Sequence, residues 1–398
     1  MKLNKKTSAI CACLVVVLIL ITFSGCERQI SSDDPSAIMN REEGLYINGV
    51  LVDMTVPSAG SHFYDQLTDA QKTMYTAALI SLEAGYNVFE LVGVKCDEYS
   101  DGCNRATEAL LRDHPEFFWL DGGNQIRSTL PGADNVGSVE ITLSMHSYWN
   151  NHDLSKARLE LDEALSELTA EVDRIEEPYE KIKFLNTWLA ENVEYDRESF
   201  IFPSKMDEAE QAFANTMYGA LVAGKTLCGG YACTVSYILN RSGIDTLYIT
   251  GETIDGLHAW NLIKLDGEYY HLDTTWADDD ENGRVLYSYF CLDDEEIALT
   301  HKIDSLFVYP AATGTEYDYY NREGLYFAQY SFNSYSKAFS AHSFDKGFSV
   351  KFSNDVVLRA AVTDIIENSK FYKLSGMNSA NTFSYTVDEV HCILTIYP

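Results

Sequence analysis

The chain has 398 residues, 46% hydrophobic and 13% aromatic, enough for sizeable cores in two or three domains. Its formal net charge is −31, and Lys2, Lys5 and Lys6 are the only charges in residues 1–25, so the rest is more acidic still. That balance excludes nucleic acid as a partner and electrostatic docking on an anionic membrane; it suits an extracytoplasmic protein and identifies no substrate. The three lysines and the apolar run from Ser8 to Phe23 read as a targeting segment, the run being too short to favour a spanning helix.

Phe23-Ser24-Gly25-Cys26 resembles a bacterial lipoprotein cleavage box, with phenylalanine where leucine is common. The resemblance implies a signal peptide over 1–25, lipidation of Cys26 and anchoring at the extracytoplasmic face of the cell membrane; plain secretion or an uncleaved anchor is the alternative. Residues 26–43 are polar and read as a tether.

Residues 44–153 read as an N-terminal α+β domain. Strands are expected over Leu45–Met54, Asn87–Val94, Glu116–Leu120 and Val139–Met145, and helices over Leu67–Ala84 and Asn104–Arg112. Cys96 and Cys103 stand close in sequence, either as a small disulfide loop or as two free thiols. His146 and His152 lack a third ligand at metal-binding spacing, so no metal is expected there, and nothing in the chain implies a cofactor.

Residues 154–310 read as the catalytic domain, opening with an amphipathic helix over Leu154–Ile175. Gly224 and Gly229-Gly230 mark a loop entering a helix, and Ala232, Val235, Ile238 and Leu239 keep helical spacing up to Ser242-Gly243. Cys228 therefore sits at a helix start, where free N–H groups and the helix dipole favour a thiolate and can stabilise an oxyanion. Gly229 and Gly230 are expected to leave room for a substrate backbone. His258–Leu265 and Glu268–Trp276 are strand-like runs around Asp266-Gly267, a hairpin turn signal. A two-residue loop sets Leu265 opposite Glu268 and Trp260 opposite Asp273, which makes His258 and Asp273 diagonal neighbours on one face. Cys228, His258 and Asp273 then suit a nucleophile, a base and the carboxylate that orients the base. Trp260 is expected to shield the His258–Asp273 pair, and His271 to support it.

Three motifs in order, Leu227-Cys228-Gly229-Gly230-Tyr231-Ala232, His258-Ala259-Trp260-Asn261 and Leu272-Asp273-Thr274-Thr275-Trp276, resemble the bacterial transglutaminase-like family, a branch of the papain-like cysteine enzymes. The preceding segments Tyr179–Asp196 and Tyr218–Leu221 also match, and the resemblance runs from about Pro178 to His301. It implies an α+β fold, with a cysteine-bearing helix packed on an antiparallel sheet that carries the histidine and aspartate. It implies Cys228 as nucleophile, His258 as general base and acid, and Asp273 as orienter. Thr274 stands where the family often has proline, and no side-chain oxyanion donor is matched.

Asp278 to Gly283 begins like a calcium loop, but Tyr289 stands where a bidentate glutamate is needed and no helix precedes it. Residues 311–398 read as a small C-terminal α/β domain, with a strand over Phe348–Phe352, a helix over Asp355–Ile366 and an alternating run over Phe383–Tyr397. Its many tyrosines and phenylalanines suit core positions better than a glycan-stacking face. The expected function is a surface-anchored cysteine peptidase, amidase or protein-glutamine acyltransferase whose substrate is a protein or peptide, cell-wall peptide included. The alternative is a non-catalytic surface protein that reuses the fold for binding.

Overall fold

The computed structural model describes residues 41–54, 61–99, 103–129, 134–279 and 283–398. The targeting segment, Cys26 and most of the tether lie outside the described residues, as do residues 280–282 of the acidic loop. The first sheet has five antiparallel strands in the order Val50–Val52, Gly44–Ile47, Val88–Lys95, Val136–Met145, Leu120–Thr129. Helices Asp69–Glu83 and Cys103–Asp113 pack beside it, the first opened by a Thr68–Gln71 capping box.

Two expectations for this region are corrected. The single strand over Leu45–Met54 is a hairpin, because Asn48 (φ 50°) and Gly49 (φ 75°) both turn left-handed, as a tight two-residue turn requires. Glu116–Leu120 is not a strand. Phe117, Phe118 and Trp119 are buried in a turn, and the strand starts at Leu120. That strand is polar because it lies at the sheet edge, paired only with Val136–Met145. Cys96 and Cys103 are free, buried thiols, and Cys103 donates to the Tyr99 carbonyl at 3.0 Å.

The second sheet, also antiparallel, runs Phe290–Leu292, Glu268–Leu272, Gly256–Leu265, Thr246–Thr253, Lys302–Ile303. Helix Cys228–Arg241 packs on its central strands, with helices Leu154–Asp173 and Pro178–Asn192 against that helix. Val235, Ile238 and Leu239 are buried, as is Tyr231, whose hydroxyl donates to the Val193 carbonyl at 2.8 Å. One hydrophobic core runs from Leu45 to Tyr317 across both sheets, so packing does not break near residue 153. A second core, Tyr320 to Ile396, surrounds a four-stranded sheet ordered Tyr326–Phe327, Phe348–Phe352, Ile393–Tyr397, Ser384–Asp388. Buried Lys351 ties the two together by donating to Glu296 at 2.5 Å and Asp318 at 3.0 Å.

Candidate active site

Cys228 is the first residue of its helix. Leu227 precedes it with extended backbone and no capping side chain, so the first-turn N–H groups are left for other partners. The N–H of Gly229 finds one in Asn215 Oδ1 at 3.2 Å. The two glycines do not open a space for substrate. A Cβ on Gly229 would lie 2.7 Å from Asn215 Oδ1, and one on Gly230 would lie 2.0 Å from Thr226 Oγ1. The expectation of room for a substrate backbone at Gly229 and Gly230 is thus corrected: that room is filled by the chain's own 215–226 segment, which packs tightly on the helix start.

The hairpin beside the helix turns through Asp266 (φ 48°) and Gly267 (φ 92°). Leu265 pairs with Glu268, and the ladder continues to Asn261 opposite Leu272. There it ends, one residue short of Trp260 and Asp273. Asp273–Trp276 is a turn and not the expected strand, because the Asp273 side chain organises it: Oδ1 accepts from the N–H of Thr275 at 3.0 Å and of Trp276 at 3.2 Å. The Asp273 N–H crosses to the Tyr289 carbonyl at 3.1 Å.

This turn aims Oδ2 of Asp273 at His258 Nε2, 2.8 Å away. Nδ1 is then the ring nitrogen left to face Cys228, which lines the same cleft. Burial alone would lower the His258 pKa; the Asp273 charge and hydrogen bond, with help from Cys228, overcome it and push the value up to about 10. Burial likewise works against ionised Asp273, and the attraction of His258 with hydrogen bonds from His258 and His301 holds it well below the usual carboxylate range. At neutral pH the pair is therefore imidazolium and carboxylate.

Trp260 is buried, 6.1 Å ring to ring from His258 and nearly parallel to it. Its indole N–H donates to His271 Nδ1 at 3.0 Å, and His271 Nε2 donates to Asp294 at 2.9 Å. His271 thus braces Trp260 from behind and does not meet Cys228. Sequence reasoning passed over two residues that the geometry brings in. His301 Nε2 lies 3.2 Å from Asp273 Oδ2, and Asn215 lines the cleft that holds Cys228 and His258. The cleft measures about 640 Å³, with Phe200 and Leu257 among its apolar lining residues and Arg112 and Asp304 among its charged ones.

Among the described residues, His258, Asp273 and His301 form one cluster of three side chains of metal-ligating type, with donor atoms within 4.8 Å of one another. These atoms already serve each other, both imidazoles bonding to the same carboxylate oxygen. Burial pushes the Cys233 thiol up to about 12 and that of Cys291 well above its ordinary value.

Residues 166–274 match the family model of the transglutaminase-like superfamily, a span that holds Cys228, His258 and Asp273 and stops before His301. Kyphoscoliosis peptidase of Homo sapiens is 28% identical over 133 residues, covering 30% of this chain and 19% of that protein. The Mus musculus protein is 27% identical over 140 residues, covering 31% and 20%. The chain thus spans about a fifth of the length of these curated relatives. The solved structure of a TGase is similar over 41% of this chain and 47% of its own, with 15% identity and a TM-score of 0.29. Helices and antiparallel sheets assemble here into an α+β fold, and the chain carries a transglutaminase-like domain over residues 166–274.

Proposed function

We propose that the protein is a thiol enzyme that attacks an amide carbonyl of a protein or peptide outside the cytoplasm and passes through an acyl-thioester on Cys228. The observation that carries this reading is the helix-start thiol in one cleft with an imidazole that Asp273 holds by Nε2. Cys228 Sγ bonds to the carbonyl carbon, and His258 gives its Nδ1 proton to the leaving amine as the C–N bond breaks. Water, yielding a proton back to His258, then attacks the thioester and releases the acid. A lysine amine in place of water gives a new amide, a cross-link, instead of hydrolysis. We assign oxyanion stabilisation to the Cys228 N–H and the Asn215 amide. In this reading residues 1–25 are removed and Cys26, the lipidated first residue, holds the enzyme at the extracytoplasmic face; among the described residues no helix is long and apolar enough to cross a membrane.

The test is to incubate purified protein with surface peptides, cell-wall peptide included, and a primary-amine donor, and to identify products by mass. Hydrolysis yields fragments or deamidated glutamine, and transfer yields the amine adduct. Either product should vanish in Cys228→Ala. No product, together with no labelling of Cys228 by a thiol-directed acylating probe, would leave only the binding role.

A further inference from the structure

Asp273 is a carboxylate with four hydrogen bonds, and one comes from a side chain that no catalytic role yet uses. Oδ1 is filled by two backbone N–H groups and Oδ2 by two imidazoles, His258 at 2.8 Å and His301 at 3.2 Å. His301 comes from the far edge of the sheet, 28 residues beyond Asp273. It directly precedes the edge strand Lys302–Ile303, which pairs with Glu252 and Gly251. Gly251 permits that pairing, since a Cβ there would lie 2.2 Å from the Lys302 carbonyl oxygen. His301 is then fully buried between Trp276, at 4.6 Å ring to ring, and Trp260, at 4.9 Å. The Thr300 hydroxyl lies 2.8 Å from His301 Nδ1. A hydroxyl donating to Nδ1 leaves the proton on Nε2, where it faces Asp273.

We propose that His301 is a positioning residue that shares Asp273 Oδ2 with His258, fixing the carboxylate in place and tempering its hold on the His258 proton. The physical reason is that a second donor on one oxygen draws off electron density that would otherwise bind the imidazolium alone. With His301 present, His258 stays a cation beside Cys228 yet can still release its proton to a leaving amine. Without it, the Asp273–His258 pair tightens and that release slows. The titratable groups facing His258 are Cys228, Asp273 and His301, with the phenols of Tyr195 and Tyr289 nearby. Burial pushes both phenols above their ordinary value; nearby negative charge adds to it at Tyr195, whereas at Tyr289 a hydrogen bond with Thr300 works against it and Asp388 and Asp273 add to it.

The proposal rests on the reading of Cys228 and His258 as a catalytic pair, and its test separates the two. Histidine-labelled full-length protein is titrated by NMR to follow His258, and the rate of Cys228 alkylation by iodoacetamide is mapped against pH. His301→Phe should raise the His258 titration point by about one unit and slow amide turnover about tenfold. His301→Gln, which can still donate from its amide, should return both to near wild type. Thr300→Val, which frees the tautomer, should shift His258 the same way by less. An unmoved His258 titration in folded His301→Phe, or, if that variant does not fold, in Thr300→Val, overturns the proposal, as does a glutamine variant that behaves like phenylalanine. Wild-type Cys228 no more reactive than Cys392 would instead overturn the underlying catalytic reading.

Discussion

Cys228 shares its cleft with an imidazole whose Nε2 is held by a buried carboxylate, and this fixes how each residue should respond to change. Iodoacetamide at about pH 6–7 should label Cys228 well before Cys233 or Cys291, whose thiols are buried and pushed up. Peptide mapping checks this, and equal rates at all three would contradict an activated thiolate. Asp273→Asn should cost about 10³–10⁴-fold in turnover, since the amide can hold the wrong tautomer of His258. The pH dependence of stability follows from the same pair. His258 is raised on folding from 6.5 to about 10, so its contribution is full below about 6.5 and is lost as pH rises through about 10. Asp273 is depressed, so its contribution is present above its ordinary 3.8 and is lost only as pH falls well below that. Denaturant melts should show wild type weakening between about pH 7 and 10, and Asp273→Asn weakening much less; parallel curves would contradict the ion pair. The neighbourhood of His258 and Asp273 was legible because a two-residue Asp-Gly turn sets register residue by residue. His301 was not, because it joins the site from the segment just before a distant edge strand, and nothing local in Thr300-His301-Lys302 records which carboxylate it will meet.

At the scale of elements, what the sequence revealed was periodicity and turn chemistry, and what it hid was the packing of the segment before the cysteine. The helix start at Cys228 and the hairpin at Asp266-Gly267 are both marked by glycine at positions where the backbone demands it or side chains cannot fit. Asn48-Gly49 carried the same signal inside an apparently continuous alternating run, and the turn outweighs the alternation. The aromatic run Phe117–Trp119 looked like a strand by composition, but it fills the core from a turn. Gly229 and Gly230 separate two consequences of close packing. Gly230→Ala meets the fully buried Thr226 side chain and the Thr216 backbone carbonyl, and should cost about 1–3 kcal/mol of stability. Gly229→Ala meets the exposed Asn215 side chain, which can move, so it should spare stability and slow turnover by displacing that amide. Thermal melts beside rate measurements check the pair. A stable Gly230→Ala, or a fully active Gly229→Ala, would contradict this account of the helix start.

Across the whole molecule, the active-site cleft is walled partly by the N-terminal region, because one core spans both sheets. Arg112 is the clearest joint. Its buried guanidinium donates to Tyr309 at 2.7 Å and Thr250 at 2.8 Å, and lies over the Phe307 ring at 4.8 Å. Arg112→Ala leaves those partners in a buried hole and should cost about 3 kcal/mol, lowering one cooperative transition that both regions share. Separate melting of the N-terminal sheet with the cleft intact would contradict a continuous core. The anchor is a separate matter: Cys26→Ser should move the protein from membrane to soluble fraction while purified protein keeps its activity, and wild type should carry lipid on Cys26 by mass. The central claim, an acyl-thioester on Cys228, is met most directly by acid-quenching the enzyme during turnover of a peptide substrate and measuring its intact mass. The account predicts an added acyl group on Cys228, located by fragmentation, that disappears when turnover finishes and never forms in Cys228→Ala. Turnover that proceeds without any adduct and survives in Cys228→Ala would contradict it.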